Sequence, residues 1–405
     1  MRPAACAALL ALLITALAPL PGWSAPEGTD DVNGAANAAF DVPADGEFVI
    51  RGRGYGHGHG MSQYGAQGAA RQGLGWKKIL GFYYPGTKRV TVKSRVRVQI
   101  SADIGHDVVV DPRSGLKVRS LSKRQARALP ARVGGKKVKR WRLTIGKSGR
   151  TVVAHRSGGA WHAWWRFAGE GQFRAGGQPI TLRLPHGETA RYRGRLALAG
   201  AARDTVNDVS LESYVQGVIP REMPATWHPN AVRAQAVAAR TYASYEKQHP
   251  RAGHYQICDT VSCQVYGGYD AEHPASNAAV KATRRVVLHH GGGPAFTQFG
   301  SSSGGWTAAN QFSYLPAQAD PYDGWSGNPV HSWQVRVSRS RIQSAWPSIG
   351  KLRRIKVPQR TGHGEWGGRA RSVVLIGKAG RVTVSGDTFR YTLGLRSTWF
   401  TFRAG

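Results

Sequence analysis

Glu222 is a carboxyl group with apolar company: Met223 and Pro224 follow it directly and Trp227 lies close behind. Such neighbours disfavour the charged form and raise a carboxyl pKa, as an acid working near neutrality requires. Arg221 would act the other way if it turned inward. By spacing alone, Glu222 reads as a surface glutamate behind a helix. His57 and His59 alternate along a glycine-rich run, so an extended backbone would send both imidazoles to one side. Two imidazoles can begin a metal site, but no carboxylate or cysteine adjoins them to complete one. Ser301, Ser302 and Ser303 precede Gly304-Gly305 without a nucleophile-elbow pattern, and no histidine–aspartate pair for a triad is recognisable in the sequence.

The elements that must position these groups can be read from periodicity. Leu211, Tyr214, Val215 and Val218 share a helical face, with Ser210 as a candidate N-cap and Pro220 as the expected stop. A second helix is predicted from Pro229 to about Gln248; Gln235 and Tyr242 share one of its faces, Arg233 and Arg240 another. A third is predicted over Asn277–Arg285. Residues 90–200 read as strands, because Val96, Val98 and Ile100 alternate with Arg95, Arg97 and Gln99. Trp141, Leu143 and Ile145 repeat the alternation, as do Ile180, Leu182 and Leu184. Val373–Ile376 and Val382–Val384 flank a Gly377–Gly380 turn and predict a hairpin. Strands, then helices, then strands argue for an α+β fold.

Composition bears on compartment. Met1-Arg2, an apolar run from Ala4 to Leu20 and small residues at Gly22, Ser24 and Ala25 read as a signal peptide over 1–25. An uncleaved anchor is the other reading of that run. Residues 26–46 read as a disordered leader. Cys6 lies in the signal segment, which leaves Cys258 and Cys263; two cysteines in an exported chain suggest one local disulfide. The net charge is +33, and no carboxylate occurs between Asp111 and Glu170. A basic face of this kind wants a polyanion. The export signal turns that expectation away from nucleic acid and toward anionic wall polymers. Half of these charges could equally be a solvated surface. Trp161, Trp164, Trp165 and Phe167 interleave with the basic stretch, a density more usual in a core than on a binding face.

The run Arg53-Gly54-Tyr55-Gly56-His57-Gly58-His59-Gly60-Met61-Ser62-Gln63-Tyr64-Gly65-Ala66 resembles the signature of the stage II sporulation protein D family, which includes the amidase-enhancer proteins. Leu211-Glu212-Ser213-Tyr214-Val215-Gln216-Gly217-Val218-Ile219-Pro220-Arg221-Glu222-Met223-Pro224 is similar to a second block of that family. Residues 234–242 (AQAVAARTY), 263–268 (CQVYGG) and 301–305 (SSSGG) resemble three more. The resemblance runs from residue 47 to the end, as one domain with segments 47–89, 90–200, 201–330 and 331–405. It implies a secreted protein that binds peptidoglycan glycan strands in one cleft. It further implies a lytic transglycosylase in which Glu222 is the catalytic acid and no cofactor takes part.

The same resemblance implies substrate contacts for His57, Gln63, Gln235, Arg240, Tyr242, Tyr266, Ser301 and Ser302. His59 departs from the family, which usually has a small or apolar residue there. Some sporulation members bind zinc near the paired cysteines, which makes His254, Cys258 and Cys263 an alternative site; Ser262 stands where those members carry a histidine, and this favours the disulfide. A non-catalytic wall binder that stimulates an amidase is the second functional reading. In the family the His-Gly block follows the carboxy-terminal strands, whereas here it comes first. A circular permutation accounts for that order and predicts that Phe48–Arg51 pairs beside Trp399–Phe402.

Overall fold

The computed structural model describes residues 38–403 except Lys147. The signal segment and residues 26–37 of the leader lie outside the described residues. The fold is α+β, with seven α-helices among the described residues: α1 (Gln63–Arg71), α2 (Trp76–Tyr83), α3 (Leu211–Glu222), α4 (Pro229–Gln248), α5 (Pro274–Ala282), α6 (Arg339–Ala345) and α7 (Gly386–Leu393).

Alternation along the strands builds two large sheets. The seven-stranded sheet runs 257–258, 95–99, 204–210, 195–199, 171–174, 117–120, 126–128 in spatial order. The six-stranded sheet runs 160–168, 150–157, 140–145, 107–110, 180–183, 189–192. Val96, Val98, Val108, Val110, Trp141, Leu143, Ile180, Leu182, Leu196 and Leu198 point into a shared core, which continues under α3 and α4. Trp165 and Phe167 are buried in it as well. The arginines and lysines of the same strands face out. Lys117, Lys123, Arg124, Lys136, Lys137 and Lys139 are all exposed.

A second core gathers Phe48, Ile50, Val337, Ile355, Val357, Val373, Leu375, Phe389, Phe400 and Phe402. Here the strand Glu47–Arg53 lies antiparallel between Ser332–Ser338 and Phe400–Phe402, with Ile50 opposite Phe402 and Gly52 opposite Phe400. The expected hairpin pairs Val373 with Val384.

Three sequence expectations need correction. The leader is ordered from residue 38: Ala38–Asp41 forms the edge strand beside Leu352–Arg360, because Phe40 has the second core to pack on, its ring tilted against Phe402 with centroids 4.8 Å apart. Helix α3 does not stop at Pro220 but runs through it to Glu222. One missing N–H in the last turn costs a single helical bond, and buried Val215, Val218 and Ile219 hold that turn in place. Helix α5 starts and ends three residues earlier than periodicity suggests, at Pro274, a good first-turn position, with His273 capping.

Candidate active site

Ser210 caps α3 by accepting the Ser213 N–H at 3.1 Å, and Tyr214, Val215, Val218 and Ile219 bury its inner face. That anchoring sets Glu222 at the last helical residue, after which Met223 turns extended. The Glu222 carbonyl accepts from Gln63 Nε2 at 2.9 Å, and its carboxyl Oε1 accepts the Val265 N–H at 2.8 Å. The other carboxyl oxygen has no hydrogen-bond partner among the described residues. Burial holds the Glu222 pKa above its ordinary value, with the Val265 N–H opposing. Arg221, whose charge would oppose the rise, is exposed.

The carboxyl opens on a cleft of about 290 Å³ lined by His57, Glu222, Tyr242, Gln298, Phe299 and the loop Val261–Val265. Glu222 is the only carboxylate among its described lining residues. His57 Nδ1 accepts the His59 N–H at 2.9 Å, so a neutral ring carries its proton on Nε2. Burial first, then the charges of His59 and Arg369, hold the His57 pKa down to about 3. The ring is therefore a neutral donor, not a base. It also lines a second, larger chamber of about 560 Å³ and so stands at the junction of the two.

Several residues singled out in the sequence do other work. Gln63 positions the Glu222 backbone through its amide. Tyr242 is nearly buried against Phe296 but does line the cleft. Arg240 does not reach it: the guanidinium is wholly buried, clasping Glu212 at 2.9 and 3.1 Å and the carbonyls of Ala236, Val280 and Val286. Tyr266 is also framework, its hydroxyl donating to Asn207 at 2.8 Å and its ring packed on Tyr214. Gln235 is wholly buried, with neither amide atom partnered by protein.

Ser301 offers its carbonyl to the Tyr64 N–H, and Ser302 is buried, donating to Asp323 at 2.8 Å. A histidine–aspartate pair lies near these serines, with His331 Nδ1 2.8 Å from Asp323, but it does not form a triad. The order is wrong for a triad, because Ser302 bonds the aspartate and Arg53 occupies His331 Nε2 at 3.0 Å. Asp323 also accepts from Ser62, the α1 N-cap, at 2.6 Å, so this network ties the His-Gly segment to the serine turn. Burial works against its charge, yet bonds from His331, Ser62 and Ser302 hold Asp323 below its ordinary pKa.

Cys258 and Cys263 are joined in a disulfide with Cα atoms 5.6 Å apart. This corrects the zinc alternative: both sulfurs are consumed, and His254 turns away to Asp204. No group of three metal-ligating side chains occurs among the described residues. The disulfide closes a loop that ends two residues before Val265, the donor to Glu222. Replacing both cysteines by serine is expected to lower stability by about 2 kcal/mol. Urea unfolding with and without reductant checks this: reduced wild type should fall to the variant's midpoint, and the variant should not respond.

The cleft-lining groups that the sequence reading did not name are the Val265 backbone N–H, Gln298, Phe299 and most of the larger chamber. The block of residues 263–268 carries a usable signal for the first of these, since it contains Val265 as well as Tyr266.

An α+β protein with a half-buried carboxyl at the end of an anchored helix, facing a cleft with no other carboxylate among its described lining, defines a class of cleft proteins. Residues 200–290 match the family model described as "Stage II sporulation protein". The Amidase enhancer of Bacillus subtilis (strain 168) is 35% identical over 136 residues, covering 32% of this chain and 18% of that protein. Stage II sporulation protein D of the same strain is 31% identical over 234 residues, covering 50% of this chain and 63% of that protein. Stage II sporulation protein D of Bacillus amyloliquefaciens is 28% identical over 224 residues, covering 49% and 62%. The chain spans less than two thirds of the length of each of these relatives. Over these segments it is similar to the stage II sporulation protein D family.

Proposed function

We propose that the chain is an extracytoplasmic cell-wall protein that binds peptidoglycan glycan strands and cleaves them as a lytic transglycosylase. The observation that carries this reading is the solitary carboxyl of Glu222, raised in pKa by burial and held by one N–H in a cleft with no second carboxylate among its described lining. Hydrolysis by two carboxylates needs a partner across the scissile bond. Transglycosylation does not. Glu222 gives its proton to the glycosidic oxygen as that bond breaks, and the muramyl C6 hydroxyl then closes on C1 and returns its proton to Glu222. No water is consumed, and the product ends in a 1,6-anhydro ring. His57 lines the cleft beside the acid as a neutral imidazole. The register of Glu47–Arg53 against Phe400–Phe402 is what a permuted family domain would need to bring His57 to that cleft.

The test is incubation of purified protein with amidase-treated glycan strands, read by mass spectrometry for anhydromuramyl ends. Binding of strands without any anhydro product would leave the non-catalytic reading. In that reading the chain docks on the wall and stimulates an N-acetylmuramoyl-L-alanine amidase. The amidase-enhancer relative and the exposed lysines of the β-rich segment favour it. The basic face carries its own expectation. Lys117, Lys136 and Lys137 changed together to Glu should weaken binding severalfold to walls that retain anionic polymers. Acid-extracted walls should bind as before, and the wild-type advantage should fade with added salt; a pull-down across a salt series measures both.

A further inference from the structure

The six-stranded sheet gives one face to the core and turns the other to solvent. Its strands carry seven arginines and no lysine. All seven stand on the outer face, alternating with core residues such as Trp141, Val153 and Leu182. Three of them are balanced: Arg142 by Asp107 at 3.8 Å, Arg183 by Asp111 at 2.6 Å and Arg191 by Asp270 at 2.6 Å. The other four, Arg140, Arg150, Arg156 and Arg166, make no ion pair or side-chain hydrogen bond among the described residues. Arg140 and Arg156 are half-buried, and Arg150 and Arg166 are exposed.

The strand register makes the imbalance sharper. Arg140 lies directly opposite Arg156 on the neighbouring strand, and Arg156 lies opposite Trp161 on the next. Like charges that face each other across a strand pair cost stability. An anion seated between the two guanidinium groups removes that cost. Farther along the same face, past Ala154 and Ala163, Arg166 and Arg150 form a second cationic end. Arg150 and Arg156 are six residues apart on one strand, about 20 Å. A monomeric anion does not span that distance, whereas a polymer with repeated charges does.

Residue type narrows the polymer. Arginine offers a rigid fork of donors where lysine offers a point charge. A carboxylate is planar, and one fork satisfies both of its oxygens. A phosphodiester is tetrahedral and splays its two free oxygens, so two neighbouring forks can take one each. The rings of the face are already taken: Arg142 lies 4.2 Å over Trp161, Trp164 packs edge-on against Trp141, and Trp165 and Phe167 belong to the core. Single-stranded nucleic acid asks for open rings on which to stack its bases. A polyol or sugar backbone does not.

We propose that the outer face of the six-stranded sheet binds a linear phosphodiester polymer with a polyol or sugar backbone. One phosphate group sits between Arg140 and Arg156, and others lie along the face toward Arg150 and Arg166. The proposal rests on the extracytoplasmic reading for the presence of such a polymer, and it is independent of Glu222.

The probes are poly(glycerol phosphate), polygalacturonate of matched charge and single-stranded DNA of matched length, titrated into the full chain by calorimetry at fixed salt. Poly(glycerol phosphate) should bind at least about tenfold more tightly than either of the others. Arg140→Ala and Arg156→Ala together, with the fold checked by circular dichroism, should weaken it by about tenfold or more. Arg140→Lys with Arg156→Lys keeps the charge and should lose the preference over polygalacturonate. Glu222→Gln should bind poly(glycerol phosphate) as the wild type does. Equal binding of the phosphate and carboxylate polymers would overturn the proposal, as would a double alanine variant that binds undiminished. DNA bound as tightly as poly(glycerol phosphate) would overturn it too, marking a nucleic-acid surface. Cleavage of glycan strands without poly(glycerol phosphate) binding would sink this face alone, and that binding without cleavage would sink the Glu222 reading alone.

Discussion

Glu222→Gln should lower the rate of anhydromuramyl product formation by about 10²–10⁴-fold while leaving strand binding in place. The amide is nearly isosteric and keeps an oxygen to accept the Val265 N–H, so the cleft geometry survives. What disappears is the proton. On the proposed mechanism the protonated carboxyl is the working form, and burial raises its pKa above the ordinary glutamate value. Activity should therefore decline as pH rises through that raised pKa. The same group gives a stability signature. Its folded pKa lies above its unfolded value, so its favourable contribution is complete below the unfolded pKa and is lost as pH climbs through the folded one. Glu222→Gln should match wild type in urea midpoint under acid conditions and exceed it at neutral pH. Undiminished product from the variant would remove Glu222 from the chemistry.

Arg240→Ala should cost about 3–5 kcal/mol of stability, an effect on the fold and not on the cleft. Through one guanidinium this side chain ties α4 to Glu212 on α3, to the end of α5 at Val280 and to the strand Val286–His290. Glu212 in turn accepts the Arg285 N–H at 3.1 Å. Removing the arginine leaves a carboxylate facing a void, and removing Glu212 leaves a wholly buried cation. A paired Arg240→Met, Glu212→Leu variant should recover much of the loss, because neither charge is then stranded. Urea unfolding measures all three. Glycan affinity per folded molecule should be unchanged; a stable Arg240→Ala protein that no longer binds strands would return the residue to the cleft.

The contrast between Glu222 and Arg240 marks how far the sequence could be read. Period-two alternation at Val96, Val98 and Ile100 and at Trp141 and Leu143 was enough to locate the sheets, and α4 begins at the proline where a helix start was expected. The family blocks, however, mix cleft residues with framework residues of the same types. Arg240 and Ser302 sit in such blocks, and their partners Glu212 and Asp323 lie 28 and 21 residues away in the chain, so only the fold tells which they are. Val265 acts through its N–H, which no residue type announces. The larger chamber draws His59, Trp306, Arg369 and Trp399 from segments far apart in the chain, beyond the reach of any local period.

The strand Glu47–Arg53 also governs when the molecule can become itself. Its two neighbours, Ser332–Ser338 and Phe400–Phe402, are made some 285 and 350 residues later. The second core therefore cannot close until synthesis has passed residue 402, and contacts of such long range form slowly. Phe48 and Ile50 wait unpaired all that while. If the chain is exported unfolded, as proposed, that core closes only after the last strand has crossed.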